Sequence, residues 1–141
     1  MCAFFNFLLQ ILMKNIEKIL KLSEKRIEFL RNMDNGWYVD HKTFLNGLYE
    51  EIDEAKEEIR KDNSVYLEDE LGDVFWDIMM VLIALEKEWL ITREKVFERA
   101  YNKFSERIDY VQSRDEMDSW EKIKKVQKIR RKKEHDDLYK K

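Results

Sequence analysis

The sequence predicts an all-α protein, an antiparallel four-helix-bundle-like core with an additional C-terminal helix. Three observations carry this. The 141 residues contain no proline and only three glycines, so the residues that most often interrupt helices are nearly absent. Apolar side chains recur at steps of three and four, the period of one helix face, rather than alternating as in strands. Charged residues make up 40% of the chain and hydrophobic ones 44%, a balance that suits helices with one wet and one dry face. The length is that of a single domain.

Residues 1–13 are apolar, but about a dozen residues fall short of the roughly 20 needed to span a bilayer. No basic residues precede the run and no small-residue cleavage site follows it, so it does not read as a secretory signal. We expect an N-terminal extension of the first helix that packs on the bundle or on a second subunit, with interfacial membrane contact as the alternative. From Lys14 to about Met33, the residues Ile16, Ile19, Leu20, Leu22, Ile27 and Leu30 are compatible with an amphipathic helix. Asp34-Asn35-Gly36 should end it, because Asn and Gly tolerate the left-handed geometry of a helix C-terminus. Trp37 to Lys42 is expected to form a loop.

In the next helix Leu45, Leu48, Ile52, Ala55 and Ile59 form the buried stripe, and Lys61-Asp62-Asn63-Ser64 supplies the break. The following helix begins near Val65 and runs to about Lys87, with Leu67, Leu71, Val74, Phe75, Ile78, Leu82 and Leu85 as its stripe. Its 74–85 segment is apolar nearly all round, with Asp77 as the one charge, so it belongs in the middle of the bundle. A turn through Trp89, Leu90 and Ile91 leads to Thr92, a plausible N-cap for a helix buried through Val96, Phe97, Ala100, Tyr101, Phe104 and Ile108. From Gln112 onward 11 basic residues face 7 acidic ones, although the whole chain carries a net charge of −3. Met117, Trp120, Ile123 and Val126 mark a helix there. The chain thus divides into an apolar extension (1–13), a helical domain (14–111) and a basic tail helix (112–141).

Most familiar chemistries are missing. The single cysteine, Cys2, excludes an internal disulfide framework and a cysteine metal site, and agrees with a cytoplasmic setting. There is no glycine-rich phosphate loop, no βαβ nucleotide fold pattern, no Ser/His/Asp set and no Cys/His zinc spacing. What stands out is acid. Glu51 and Glu54 are three apart, as are Glu70 and Asp73, which puts each pair on one helix face with roughly 5–6 Å between Cβ atoms. Glu51, Glu54 and Glu58 flank the apolar stripe of their helix while Glu50 points away, and Glu70, Asp73 and Asp77 line one edge of the next. Four carboxylates could converge if the two helices pack antiparallel. Carboxylates beside a core are costly unless compensated, and an oxygen-only set suits a hard divalent cation, Mg²⁺ with Mn²⁺ as substitute. A solvated acidic face with surface ion pairs is the other reading of the spacing.

Glu50-Glu51-x-x-Glu54 followed after fifteen residues by Glu70-x-x-Asp73 resembles the signature of the MazG-type, all-α nucleoside triphosphate pyrophosphohydrolases. Glu70-Leu-Gly-Asp-Val-Phe-Trp76, Thr92-Arg-Glu-Lys-Val96 and Lys103-Phe-Ser-Glu-Arg107-Ile-Asp-Tyr-Val111 are similar to successive blocks of that family, so the resemblance covers about residues 37–111. It implies a Mg²⁺-dependent hydrolase that splits a nucleoside triphosphate between the α and β phosphates, giving the monophosphate and pyrophosphate. By the same resemblance Glu51, Glu54, Glu70 and Asp73 hold the metal. Glu54 is the candidate acceptor of the attacking water's proton, with Glu58 and Asp77 behind it, and Lys103 and Arg107 take charge on the β and γ phosphates.

Family members place a tryptophan loop here, so Trp37 is expected to line the nucleotide pocket together with Asp40, His41 and Lys42; taken alone, Trp37 is equally a lid over the bundle end and His41 a surface residue. Trp120 and Lys124 resemble a Trp-x-x-x-Lys element whose ring stacks on the base and whose amine reaches a phosphate; taken alone, they belong to a tail helix with solvated charges. Without the resemblance Lys103 and Arg107 also read as surface residues, Lys103 pairing with Glu106. The resemblance further implies a homodimer or dimer of dimers, with no nucleic acid partner and no membrane span. The alternatives are a narrower substrate such as dUTP, dCTP or phosphoribosyl-ATP, a non-catalytic helical module that binds nucleic acid through its basic tail, and a membrane-surface protein using residues 1–13 with the basic tail.

Overall fold

The computed structural model describes residues 3–33, 40–114 and 117–140, and every regular element among them is an α-helix. In chain order these are α1 (Ala3–Arg31), α2 (His41–Glu58), α3 (Ser64–Lys87), α4 (Arg93–Gln112) and α5 (Ser119–Tyr139). The fold is all-α with a further helix at the C-terminal end, as the sequence predicts. The chain forms two compact units, Met1–Arg93 and Glu94–Lys141.

In the first unit α3 is the central element and packs against both α2 and α1. Ile27 and Leu30 of α1 meet Met80, Ile83 and Ala84 of α3, and Leu20, Met33, Phe44 and Trp76 close around them. Burying side chains of this size contributes about 1.5–3 kcal/mol each. Polar contacts fix the register of α1 on α3: Lys87 Nζ donates to Glu28 at 3.5 Å, Arg31 donates to the Lys87 carbonyl at 3.5 Å, and Arg93 pairs with both Glu24 and Glu86. The buried hydroxyl of Ser23 donates back to the Ile19 carbonyl at 2.9 Å, so it enters the core without an unmet hydrogen bond.

Helix α2 starts where Asp40, in extended backbone, accepts from the Lys42 and Thr43 amides at 2.9 and 3.4 Å. Asp40 is thus an N-cap. Its neighbour His41 shares a 2.7 Å hydrogen bond with Glu88 at the far end of α3. At the other end of the pair, Asn63 donates to the Glu58 carbonyl at 3.0 Å and to the Glu58 carboxylate. The start of α2 therefore meets the end of α3 and the reverse, so the two helices run antiparallel. Asp62 makes the turn between them with a φ of 57°, a left-handed conformation that aspartate tolerates. Helix α3 closes on Trp89, whose φ is 63°. The Trp89 amide donates to the Glu86 carbonyl at 3.0 Å and the Leu90 amide to the Leu85 carbonyl at 3.1 Å, the double closure of a Schellman motif.

Several sequence expectations need correction. Leu45 and Ile59 do not join the buried stripe of α2: both are exposed, and Ile59 is the C-cap, because the helix stops one residue before it. In α3 the buried residues are Met79, Met80, Val81, Ile83 and Ala84, whereas Leu71 and Ile78 of the expected stripe are exposed. A segment apolar on all sides has no unique phase, and the neighbours choose the face. No residue of α4 is buried, so Phe97, Tyr101, Phe104 and Ile108 stay exposed. Residues 5–13 do form one continuous helix with the rest of α1, the expected extension, but their side chains are exposed, so of the expected coverings the bundle is not the one that packs on them. The Asp34-Asn35-Gly36 stop and the Trp37 loop lie outside the described residues.

In the second unit α4 and α5 are joined mainly by polar side chains. Ser119, Ile123 and Gln127, each four residues apart, are the buried face of α5. Met117 and Val126, expected in the stripe, are exposed and Trp120 is at its edge. Ile123 is common to the expected stripe and the buried face; on either side of it the face continues in steps of four through the polar Ser119 and Gln127 rather than in steps of three through Trp120 and Val126.

Candidate metal centre

Two turns of α2 and two of α3 bring the predicted acid together. Glu51, Glu70 and Asp73 each offer a carboxylate oxygen, and the three oxygens lie within 4.8 Å of one another. The i, i+3 spacing supplies Glu70 and Asp73 from one face of α3, and the antiparallel packing carries Glu51 across from α2. Glu51 and Glu70 are half-buried and Asp73 is exposed, so the cluster is open to solvent on one side and backed by the helix pair on the other.

Glu54 stands outside this trio but close enough for its charge to act on both Glu51 and Glu70. Glu58 is engaged elsewhere, accepting from Arg60 at 2.9 Å and from Asn63. Asp77, one turn beyond Asp73, makes no hydrogen bond or ion pair among the described residues, and its charge reaches both Glu51 and Asp73.

The electrostatics of the cluster are those of like charges held together. The Glu51 carboxyl is held above its usual range, first by desolvation and then by repulsion from Glu54, Asp73, Asp77 and Glu70. Glu70 is raised by desolvation and then by Glu54, Asp73, Asp69 and Glu58. Desolvation and the Asp73 charge likewise raise Asp77. Among the described residues none of Glu51, Glu70, Asp73 and Asp77 forms an ion pair with a lysine or arginine, so the repulsion within the set is not offset by a paired cation. The donors are all hard oxygens at convergent positions, the chemistry that a divalent cation of the Mg²⁺ or Mn²⁺ type meets.

The basic residues of α4 are arranged as follows. Lys103 Nζ lies 4.5 Å from the Phe104 ring centroid and forms no ion pair among the described residues. Glu106, its expected partner, is engaged by Arg130 at 3.0 Å and by Gln127 at 2.7 Å, which lowers the Glu106 carboxyl below its usual range, the Gln127 hydrogen bond first. Arg107 donates from Nε to Gln127 Oε1 at 2.8 Å, and its guanidinium lies over the rings of both Phe104 and Trp120 at 5.4 Å. In the described contacts Trp120 carries an arginine. Lys124 pairs with Glu121 at 2.8 Å.

Sequence reasoning passed over Gln127. Its signal is the i, i+4, i+8 series Ser119, Ile123, Gln127, two of whose three members are polar, so a search for apolar stripes does not register it.

The pattern of the MazG nucleotide pyrophosphohydrolase domain matches residues 39–112. No curated protein and no solved structure matches the chain. The matched span takes in more than half of the sequence and holds Glu51, Glu70 and Asp73 together with Lys103 and Arg107, and with that extent of agreement the chain belongs to the MazG nucleotide pyrophosphohydrolase family.

Proposed function

We propose that the protein is a divalent-metal-dependent nucleoside triphosphate pyrophosphohydrolase, cleaving the α–β phosphoanhydride to give a nucleoside monophosphate and pyrophosphate. The observation that carries this reading is the convergence of Glu51, Glu70 and Asp73 within 4.8 Å in a member of this family. Glu51, Glu70 and Asp73, joined by Glu54, would hold Mg²⁺ or Mn²⁺. When bound, the cation supplies charge to the phosphate oxygens and makes water more acidic.

The side chains divide the remaining work. Glu54 is exposed and outside the close trio, which leaves it available to accept the proton of the attacking water. Lys103 and Arg107 take charge on the β and γ phosphates, where charge-assisted hydrogen bonds are about twice as strong as neutral ones. Trp120 and Lys124 contribute to nucleotide binding, and Trp37 lines the base pocket. Leu71 and Ile78, exposed on the helix that also carries Glu70 and Asp73, suit burial by a second copy in a homodimer or dimer of dimers.

The nucleic-acid-binding alternative has less support. In the tail Lys122, Lys124, Arg130, Lys133 and Lys140 are each paired with a carboxylate, which leaves less unpaired positive charge for a phosphate backbone. No helix among the described residues is long and apolar enough to cross a membrane.

The test is pyrophosphate release from a panel of ribo- and deoxyribonucleoside triphosphates, with Mg²⁺ and with a chelator, by wild type and Glu70→Gln. Metal-dependent release that Glu70→Gln abolishes is the expected result, and the ranking of nucleotides separates a broad enzyme from one dedicated to dUTP, dCTP or phosphoribosyl-ATP. A folded protein that releases pyrophosphate from no nucleotide in Mg²⁺ would overturn the proposal.

A further inference from the structure

Gln127 lies beyond the span of the family pattern, which ends at residue 112, yet its amide is the hub of the second unit. It is only 8% exposed. Its Nε2 donates to the Lys103 carbonyl at 3.0 Å and to Glu106 Oε2 at 2.7 Å, and its Oε1 accepts from Arg107 Nε at 2.8 Å. The orientation is determined by these partners. Turning the amide over would set its NH₂ against an arginine donor and its oxygen against a carbonyl and a carboxylate, so only one arrangement satisfies all three contacts.

The consequence falls on Arg107. Its Nε is occupied by Gln127 and its guanidinium lies over the Phe104 and Trp120 rings at 5.4 Å each, three contacts that favour the rotamer seen. The Nη edge makes no hydrogen bond or ion pair among the described residues. Arg99 and Arg130, by contrast, have their Nη atoms on Glu134 and Glu106. An arginine whose Nε is tied down while its Nη edge stays open is pre-organised for a planar, bidentate anion, because the ordering cost is met before the ligand arrives.

We propose that Gln127 is a positioning residue that holds Arg107, together with Trp120, in the rotamer that presents its Nη edge to a phosphate, so that α5 is a working part of phosphate recognition. This rests on the reading of Arg107 as a phosphate ligand given above. Gln127 is not a ligand itself, since its three hydrogen-bonding groups are already engaged.

The experiment measures binding of inorganic tripolyphosphate in Mg²⁺ by calorimetry, on the full chain, for wild type, Arg107→Ala, Gln127→Met, Trp120→Leu and the two double variants with Arg107→Ala. Steady-state kinetics are recorded on the same proteins. Met keeps the volume of Gln and removes its hydrogen bonds; Trp120 is at the edge of the unit, so Trp120→Leu keeps the test open should the buried substitution fail to fold. We expect Gln127→Met and Trp120→Leu each to weaken binding about five- to tenfold, as loss of one or two hydrogen bonds or a cation–π contact does. In Gln127→Met the KM should rise in step while kcat changes little.

The decisive readout is the double variants. A residue that acts only through Arg107 adds no further loss once Arg107 is gone, so each double variant should bind as Arg107→Ala does. Losses that add, or wild-type binding in folded Gln127→Met or Trp120→Leu, would overturn the proposal, as would full binding by Arg107→Ala. Tripolyphosphate binding that follows the expected cycle in a protein hydrolysing no nucleotide would sustain the positioning role and sink the enzymatic reading, so the two fail separately.

Discussion

The carboxylate of Asp77 fills the space where Gly47 lacks a side chain: a Cβ on Gly47 would stand 2.7 Å from Asp77 Oδ2 and 3.7 Å from its Cγ. Gly47 lies one turn before Glu51 on α2, and Asp77 one turn after Asp73 on α3, so this contact is the next rung beyond the acidic trio in the antiparallel pair. Glycine inside a helix costs about 1 kcal/mol relative to alanine. Here it admits a carboxylate against the backbone of α2.

The first prediction follows from that contact. In an Asp77→Ala background, Gly47→Ala should stabilise the protein by about 1 kcal/mol through helix propensity. In the wild-type background the new methyl must displace the Asp77 carboxylate, and the gain should vanish or reverse. Urea denaturation of the four proteins should give a coupling of about 1 kcal/mol or more. A coupling near zero would mean that Asp77 moves aside without cost.

A second prediction concerns pH and metal. Glu51, Glu70 and Asp77 all ionise above the usual carboxylate range in the folded protein. The folded state therefore holds protons that the unfolded state has released between the unfolded and the raised folded pKa values. Stability of the metal-free protein should fall as pH rises through that window and level off above it. Mg²⁺, which binds the ionised form, should restore stability increasingly toward neutral pH. Glu51→Gln should raise the metal-free melting temperature at pH 7 and shrink the Mg²⁺ response. Thermal melts with Mg²⁺ and with chelator, from pH 4 to 8, would check both; a Mg²⁺ response unchanged by Glu51→Gln would remove Glu51 from the metal set.

Trp89 gives a third. It is 94% exposed and holds a φ of 63°, a conformation that costs a non-glycine residue about 1–2 kcal/mol. Trp89→Gly removes that strain and almost no buried surface. The substitution should stabilise the protein by about 1 kcal/mol, less the greater freedom of glycine in the unfolded chain, and a rise in denaturation midpoint would show it.

The α4–α5 unit supplies a fourth. Ile123→Ala should cost about 2–4 kcal/mol, since that side chain is 3% exposed and its loss leaves a cavity. Arg99→Ala, which breaks the exposed two-point pair with Glu134, should cost no more than about 1 kcal/mol. Chemical denaturation followed by fluorescence in a background where Trp120 is the one tryptophan distinguishes the two, and equal effects would contradict the packing described for α5.

Much of the first unit was legible because its signals are local. The i, i+3 spacing of Glu51 with Glu54 and of Glu70 with Asp73, and the breaker residues from Lys61 to Ser64, are read within a few turns of chain, and they announce two acidic helices that can face each other. Which carboxylates approach most closely is a matter of register, and the trio omits Glu54 for a reason that spacing does not contain. The 74–85 segment hid its own orientation, because a stripe cannot be picked out of a helix that is apolar on every side. The second unit was harder still. Its buried face includes Ser119 and Gln127, whose role depends on partners in α4, and no periodicity of apolar residues points to a glutamine that three polar groups address at once.

The turn from Arg60 to Asn63 has a further bearing on how the protein is made. Because α2 and α3 follow one another directly, Glu51, Glu70 and Asp73 are neighbours along the chain as well as in space. Closing so short a loop loses little entropy, and contacts of low sequence separation form early in folding. The acidic trio can thus assemble as soon as this hairpin has left the ribosome, before α5 has followed it out, and a cation captured at that stage would favour the pairing of α2 with α3 while the rest of the polypeptide is still emerging.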